Sequence, residues 1–191
     1  MKILCMSGSP TKDGNNDKII NYVGDRIVAK GFDAEKIFIS RSKIGYCTAC
    51  NLCKKELGKC SIKDSMDDVR AKLEDADAII VSSPVYFGSV TAQIKALFDR
   101  SLPLRRNNFK LKNKIGAAIA VGGSRNGGQE YTIQAIHSWM NISGMIVVGD
   151  DSHFGGIVEA PFENDDVGRK TVDATVDKVC EVLKKIGTMY P

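Results

Sequence analysis

Apolar and polar positions follow one another along the chain in two alternating periods. Lys2–Ser7 (KILCMS) is a short, mostly apolar run closed by Gly8, Ser9 and Pro10, which reads as a strand ending in a turn. From Asp17 to Lys30, Ile19, Ile20, Val23, Ile27 and Val28 recur at helical spacing, and Gly31 stands where a helix would stop. Ala34–Ser40 returns to strand alternation. The succession then repeats as helix Met66–Asp75, strand Ala78–Ser82, helix Thr91–Arg100, strand Ile115–Val121, helix Gln129–Asn141 and strand Met145–Val148. A closing helix carries Val172, Val176, Val179, Leu183 and Ile186 on one face. Five strands alternating with helices predict right-handed parallel crossovers and a doubly wound α/β sheet. Two stretches break the pattern, the cysteine-rich 41–65 and the polar, glycine-bearing 149–166. Both read as insertions within a single domain covering 1–191.

Composition narrows the class. The 191 residues are 43% apolar and 26% charged, which excludes disordered, collagenous and coiled-coil chains. A chain of this size buries a core without staples. No apolar run approaches the roughly 20 residues of a membrane span. Met1 leads directly into the first strand with no visible signal peptide, so a cytoplasmic protein that touches no membrane is expected. A net charge of +4 is too small to argue for nucleic acid. The charge is unevenly spread, however. Arg105, Arg106, Lys110, Lys112, Lys114 and Arg125 fall between Ser101 and Gln129 with no acid among them. Such a stretch is either a solvated basic face or a docking patch for an acidic partner.

Three loops share an unusual composition: Ser7–Asn16, Ser82–Gly88 and Val121–Gln129. They leave strands one, three and four, which are neighbours in a sheet of order 2-1-3-4-5, so they meet at the topological switch point where ligands bind. The first loop opens a helix and is rich in neutral donors, which suits a phosphate. It is neither a P-loop nor a dinucleotide fingerprint, because Gly14 is followed by Asn-Asn and the glycine spacing is wrong. The second offers the rigid Pro84, the flat Tyr86 and Phe87, and Gly88. The third offers glycines with Ser124, Asn126 and Gln129. Flat walls with backbone donors suit a flavin ring. The alternatives are an ordinary Gly/Ser/Asn turn and a core role for Phe87.

Cysteine use is the other anomaly. Four of the six cysteines form Cys47-x2-Cys50-x2-Cys53-x6-Cys60. In a reducing compartment, clustered thiols indicate metal or catalysis. Thiolates at successive x2 spacing let one loop wrap a cuboidal [4Fe–4S] cluster, with the fourth completing the set. Zinc, which usually takes two separate C-x2-C knuckles, and a redox dithiol are the alternatives. Lys54, Lys55 and Lys59 would offset the thiolate charge. Cys5 and Cys180 read as buried small hydrophobes, Trp139 as core, and His137 as packed or surface. His153 lies in a loop expected on the ligand side of the fifth strand.

Gly8-Ser9-Pro10, Ser83–Gly88 with Ala92–Arg100 after it, and Gly122–Glu130 resemble the NADPH-dependent FMN reductase-like flavoproteins. With the four-cysteine motif and Ser152–Gly156, the chain is most similar to the iron–sulfur flavoproteins of anaerobic archaea, over nearly its whole length. The resemblance implies a flavodoxin-like fold, one FMN and one [4Fe–4S] cluster per chain. It also implies a homodimer or dimer of dimers with the cluster near a neighbouring subunit's FMN. Electron transport follows, with ferredoxin as donor and an unknown acceptor. Carried onto this chain, Cys47, Cys50, Cys53 and Cys60 become cluster ligands, and Ser9, Thr11, Asn15 and Asn16 become FMN phosphate contacts. Pro84, Val85, Tyr86, Phe87 and Gly88, with Gly123, Ser124, Asn126, Gly127 and Gly128, become ring and ribityl contacts. The family commonly has Arg or Lys where Thr11 stands, and Thr or Ser where Asn16 stands. The rival functions are an NAD(P)H-dependent FMN or quinone reductase whose cysteines hold zinc or nothing, and a non-enzymatic redox sensor.

Overall fold

The computed structural model describes residues 1–189. Strand β1 (Lys2–Ser7) leads into α1 (Asn15–Ala29), β2 (Asp33–Phe38) and a short 3₁₀ turn at Ile39–Arg41. The cysteine-rich segment follows and contains one turn of helix, α2 (Leu52–Lys55). After it come α3 (Met66–Asp75), β3 (Ala78–Pro84), α4 (Ala92–Arg100), α5 (Leu102–Arg106), β4 (Ile115–Gly122) and α6 (Gln129–Ile142). The chain continues through β5 (Ile146–Val147), β6 (Gly156–Glu159), a 3₁₀ turn at Phe162–Asn164, and α7 (Asp166–Met189).

All strand pairs of the sheet are parallel, in the expected order β2-β1-β3-β4-β5. Successive side chains of a strand face opposite sides, and here they feed two separate cores. Leu4, Met6, Ile79, Val81, Ala118 and Ala120 pack with α3, α4 and α6. Ile3, Cys5, Ile80, Ala117, Ile119 and Val121 pack with α1 and α7. Central strands buried on both faces read as continuous apolar runs, which is why β1, β3 and β4 stand out in the sequence. Cys5, Cys180 and Trp139 are buried as expected.

The fifth position of the sheet differs from expectation. β5 pairs only with Ile115 and Gly116, at the start of β4, and the chain then leaves the sheet. It returns as β6 beside Ile119–Gly122, so two short strands share one edge position and part of the 149–166 stretch is sheet. The return is close. A side chain at Gly155 would collide with the carbonyl of Ala118, so only glycine lets the backbone approach β4 there. His153 therefore sits halfway along the sheet edge and not at its carboxyl end.

Candidate functional site

The loop after β1 is built around a carboxylate. Asp17, buried in the first turn of α1, accepts from Ser7 Oγ at 2.5 Å and from the Asp13 N–H at 2.9 Å. Ser9 is buried and its Oγ accepts the Thr11 N–H at 3.1 Å, while Thr11 itself is exposed. Asn15 and Asn16 use their side-chain oxygens structurally, Asn15 for the Phe162 N–H at 3.2 Å and Asn16 for the Ser82 hydroxyl at 2.6 Å. What remains for a ligand is the N-terminus of α1. No side chain caps it at Gly14, and first-turn N–H groups have no intrahelical acceptor. An uncapped helix end beside Ser9 and Thr11 fits an anionic phosphate.

The second loop is tied to the first. Gly8 N–H donates to Ser82 O at 2.7 Å, and Thr91 Oγ1 donates to Gly8 O at 2.6 Å. Thr91 also caps α4 by accepting the Ile94 N–H at 3.2 Å. Beyond Pro84 and Val85, Tyr86 and Ser89 exchange backbone hydrogen bonds across a tight turn with Phe87 and Gly88 at its centre. Both central residues have positive φ, 52° and 79°, as a type I′ turn requires. Phe87 is fully exposed and not core. A bulky residue held at positive φ and pointed at solvent is a feature of a binding site more often than of packing.

The third loop reaches the second, since a side chain on Gly128 would meet Val85 and Gly88. Gly123, Ser124, Asn126 and Gly127 are exposed above it. Gln129 is fully buried beneath, its Nε2 donating to Ser124 O at 2.8 Å and Val158 O at 3.2 Å, and among the described residues its Oε1 has no partner. An orphaned buried acceptor next to exposed backbone donors fits a polar ring edge. The three loops thus converge, as strand order predicts.

The cysteine segment forms the second region. Cys47, Cys50, Cys53 and Cys60 wall one cavity with Arg100, Leu102, Pro103 and Arg106. Ala49 and Asn51, with φ of 53° and 59°, bend the chain on both sides of Cys50 and bring the neighbouring cysteines around. Cys50 Sγ lies 3.0 Å from Ser61 Oγ, and this hydrogen bond lowers the thiol's pKa. Arg106 Nη1 donates to Cys53 Sγ at 3.1 Å. Among the described residues, no three Cys, His, Asp or Glu side chains are arranged to share a single metal ion. The donor set, four thiols on one cavity with guanidinium groups in its wall, fits a thiolate-bound cluster.

One buried arginine holds the base of this segment. Arg100 donates to both oxygens of Asp64, at 2.9 and 3.0 Å, and to the carbonyls of Gly45 at 3.0 Å and Ile62 at 3.2 Å. It therefore clamps the chain before Cys47 and after Cys60. Burial alone would push the Asp64 carboxyl up, but Arg100 and the N–H groups of Gly45 and Met66 outweigh it and hold the pKa at about 2.

A second cavity, of about 810 Å³, opens between α4, α5 and α6. It shares Asp99 and Leu102 with the cysteine cavity and extends to Tyr86.

A model of the NADPH-dependent FMN reductase family matches residues 1–157. The chain is 54% identical over 186 residues to an iron–sulfur flavoprotein of Methanosarcina thermophila, covering 97% of each chain. It is 47% identical over 193 residues to another of Methanocaldococcus jannaschii, covering 97% of this chain and 99% of the relative. The chain belongs to the iron–sulfur flavoproteins of the FMN reductase family. A solved structure of a WrbA-like flavodoxin-type protein from Agrobacterium tumefaciens superposes with a TM-score of 0.68 at 18% identity, covering 96% and 97% of the two chains. That likeness concerns the flavodoxin-like fold alone.

Two cations of the acid-free basic stretch are paired with acids elsewhere in the chain. Lys110 pairs with Glu74 at 2.8 Å, and Arg125 with Asp165 at 2.5 Å. Arg105 donates to Ile142 O, and Lys114 to the carbonyls of Glu74 and Ala76. His153 is held by Asp150, whose carboxylate lies 2.9 Å from its Nδ1, away from the converging loops. Sequence reasoning missed Asp17, Thr91, Arg100 and Arg106 as site-building residues. Thr91 had a usable signal, a hydroxyl residue at the start of a helical pattern. The others had none, since a charged residue in a helix gives no sign of its partner.

Proposed function

We propose that the chain is an electron-transport flavoprotein that binds FMN on its three converging loops and a [4Fe–4S] cluster on Cys47, Cys50, Cys53 and Cys60. The observation that carries this reading is the placement of all four cysteines of the C-x2-C-x2-C-x6-C motif on one cavity, at the opposite end of α4 from the three converging loops. Bound there, the two groups supply one-electron transfer and storage of an electron pair. The chain's own residues do the rest. The first turn of α1 with Ser9 receives the phosphate, the Tyr86–Ser89 turn and the Gly123–Gly128 loop flank the ring, and Arg100 closes the base of the cysteine loop. The archaeal relatives are themselves named iron–sulfur flavoproteins, which agrees with both cofactors' classes.

The two regions touch opposite ends of α4, nine residues and therefore about 13 Å apart along its axis. A homodimer that sets one chain's cysteine cavity beside its partner's loops shortens that path. The apolar cavity between α4, α5 and α6, with Ile142 exposed at its wall, is surface that a second copy would cover. An acidic, ferredoxin-like one-electron donor suits the exposed Lys54 and Lys55 beside the cysteines. Its binding should weaken as salt rises, and indifference to ionic strength rejects that donor.

Anaerobic purification followed by iron, sulfide, zinc and flavin assays is the test. Four iron and one FMN per chain are expected, and zinc without sulfide overturns the cluster. The family description favours a second reading, an NAD(P)H-dependent FMN or quinone reductase. Rapid bleaching of bound flavin by NADPH in protein devoid of iron would establish it instead.

A further inference from the structure

The cysteine sulfurs face two guanidinium groups of different character. Arg100 is largely neutralised, because Asp64 binds it bidentately and two carbonyls take its remaining Nη donors, and the sulfur it still acts on is that of Cys60. Arg106, at the end of α5, donates to Cys53 Sγ at 3.1 Å and, among the described residues, has no carboxylate in ion-pair contact. It is half-buried, whereas Lys54, Lys55 and Lys59 stand exposed and Lys59 is paired with Glu56 at 2.8 Å. Arg106 is thus the cation beside the sulfurs whose charge is neither cancelled nor left to the solvent.

We propose that Arg106 sets the reduction potential of the group held by the four cysteines, acting through Cys53 as a positioning and tuning residue. This rests on the reading that the segment binds a [4Fe–4S] cluster. In the redox step one electron enters from a one-electron donor, the four Fe–S(Cys) bonds persist, and no proton or leaving group moves. The added negative charge spreads onto the cysteine sulfurs. A charge-assisted N–H donor at one of them stabilises the reduced state more than the oxidised state. Partial burial keeps that attraction from being screened as it is for the surface lysines.

The test compares anaerobically purified wild type with Arg106→Gln, Arg106→Met and Arg106→Lys. Each is assayed for iron and sulfide and then titrated potentiometrically with dithionite and mediators, with the reduced state read by electron paramagnetic resonance. The neutral variants should retain iron and be reduced with an equilibrium constant about tenfold lower, which is about 59 mV for a one-electron couple. Arg106→Lys should recover part of the shift, a rescue that a purely structural role does not predict. A neutral variant that keeps its iron and titrates with wild type overturns the proposal. So does loss of iron from both neutral variants while Arg106→Lys keeps it, because the residue then holds the group and does not tune it. Wild type lacking iron and sulfide instead refutes the cluster reading itself, before any variant is made.

Discussion

The two candidate regions at either end of α4 are constructed by opposite means. On the loop side, hydrogen bonds join the first loop to the second (Gly8 to Ser82, Thr91 to Gly8, Ser82 to Asn16), close the first on itself (Ser7 to Asp17) and tie the second to the third (Val85 N–H to Val121 O). On the cysteine side, Cys47 and Cys50 are exposed, and the segment is anchored chiefly at its base by Arg100. A ligand recognised by backbone donors needs those donors fixed beforehand, since each misplaced N–H loses its bond. Thiolates that coordinate metal need only the right reach, because ligation itself supplies the ordering free energy. The sharpest way to separate the regions is Cys50→Ser. Iron should fall by at least about tenfold, while flavin per chain stays at the wild-type ratio. Joint loss of both cofactors would show that the regions are one cooperative unit and break the comparison.

Arg100 tests the same contrast from the protein side. Its side chain is 1% exposed and Asp64's is 14%. Arg100→Leu leaves the half-buried Asp64 carboxylate uncompensated and should cost about 3 kcal/mol in urea unfolding, with faster proteolysis across 42–65. The pH dependence has a definite sign. Because the folded pKa of Asp64, about 2, is depressed from 3.8, its contribution is fully present above pH 4 and is lost as pH falls through 2. Wild type should lose on the order of 2 kcal/mol over that window relative to Asp64→Asn. Equal acid sensitivity in the two proteins would mean that the pair does not hold the segment.

How much of this was legible in the sequence follows the same division. The buried strands announce themselves because both faces are apolar, and the convergence of three loops follows from strand order alone. The cysteine motif is legible because its four cysteines lie close together in the chain. The clamp is not, for Arg100 meets Gly45, Ile62 and Asp64 from 36 to 55 residues away. Asn15 and Asn16 resemble phosphate donors by type and place, yet their side-chain oxygens hold Phe162 and Ser82. The split fifth strand was hidden because β5 is two residues long and β6 lies in a polar, glycine-bearing context that reads as loop. That split is also what carries His153 away from the ligand side.

Thr91→Val probes the rigidity of the loop side with little change of shape. It removes the cap on α4 and leaves Gly8 O without its buried donor, for a cost of about 1–2 kcal/mol. Because that donor links the first loop to the second, flavin affinity should fall along with thermal stability. A stability loss with unchanged flavin affinity would show that the link serves α4 alone.

Phe87 is where fold and ligand make opposite demands. Its φ of 52° is costly for a bulky residue, and its ring is fully exposed, so it contributes almost nothing to the core. Phe87→Gly relieves the turn but loosens the unfolded chain, and these two effects oppose each other at about 0.5–1 kcal/mol each. The net change in stability should therefore stay within about 0.5 kcal/mol. Flavin affinity should nevertheless drop about fivefold, the scale of one aromatic contact. If flavin affinity is untouched, the strained turn is not there for the ring, and the exposed face it presents must serve a partner surface instead.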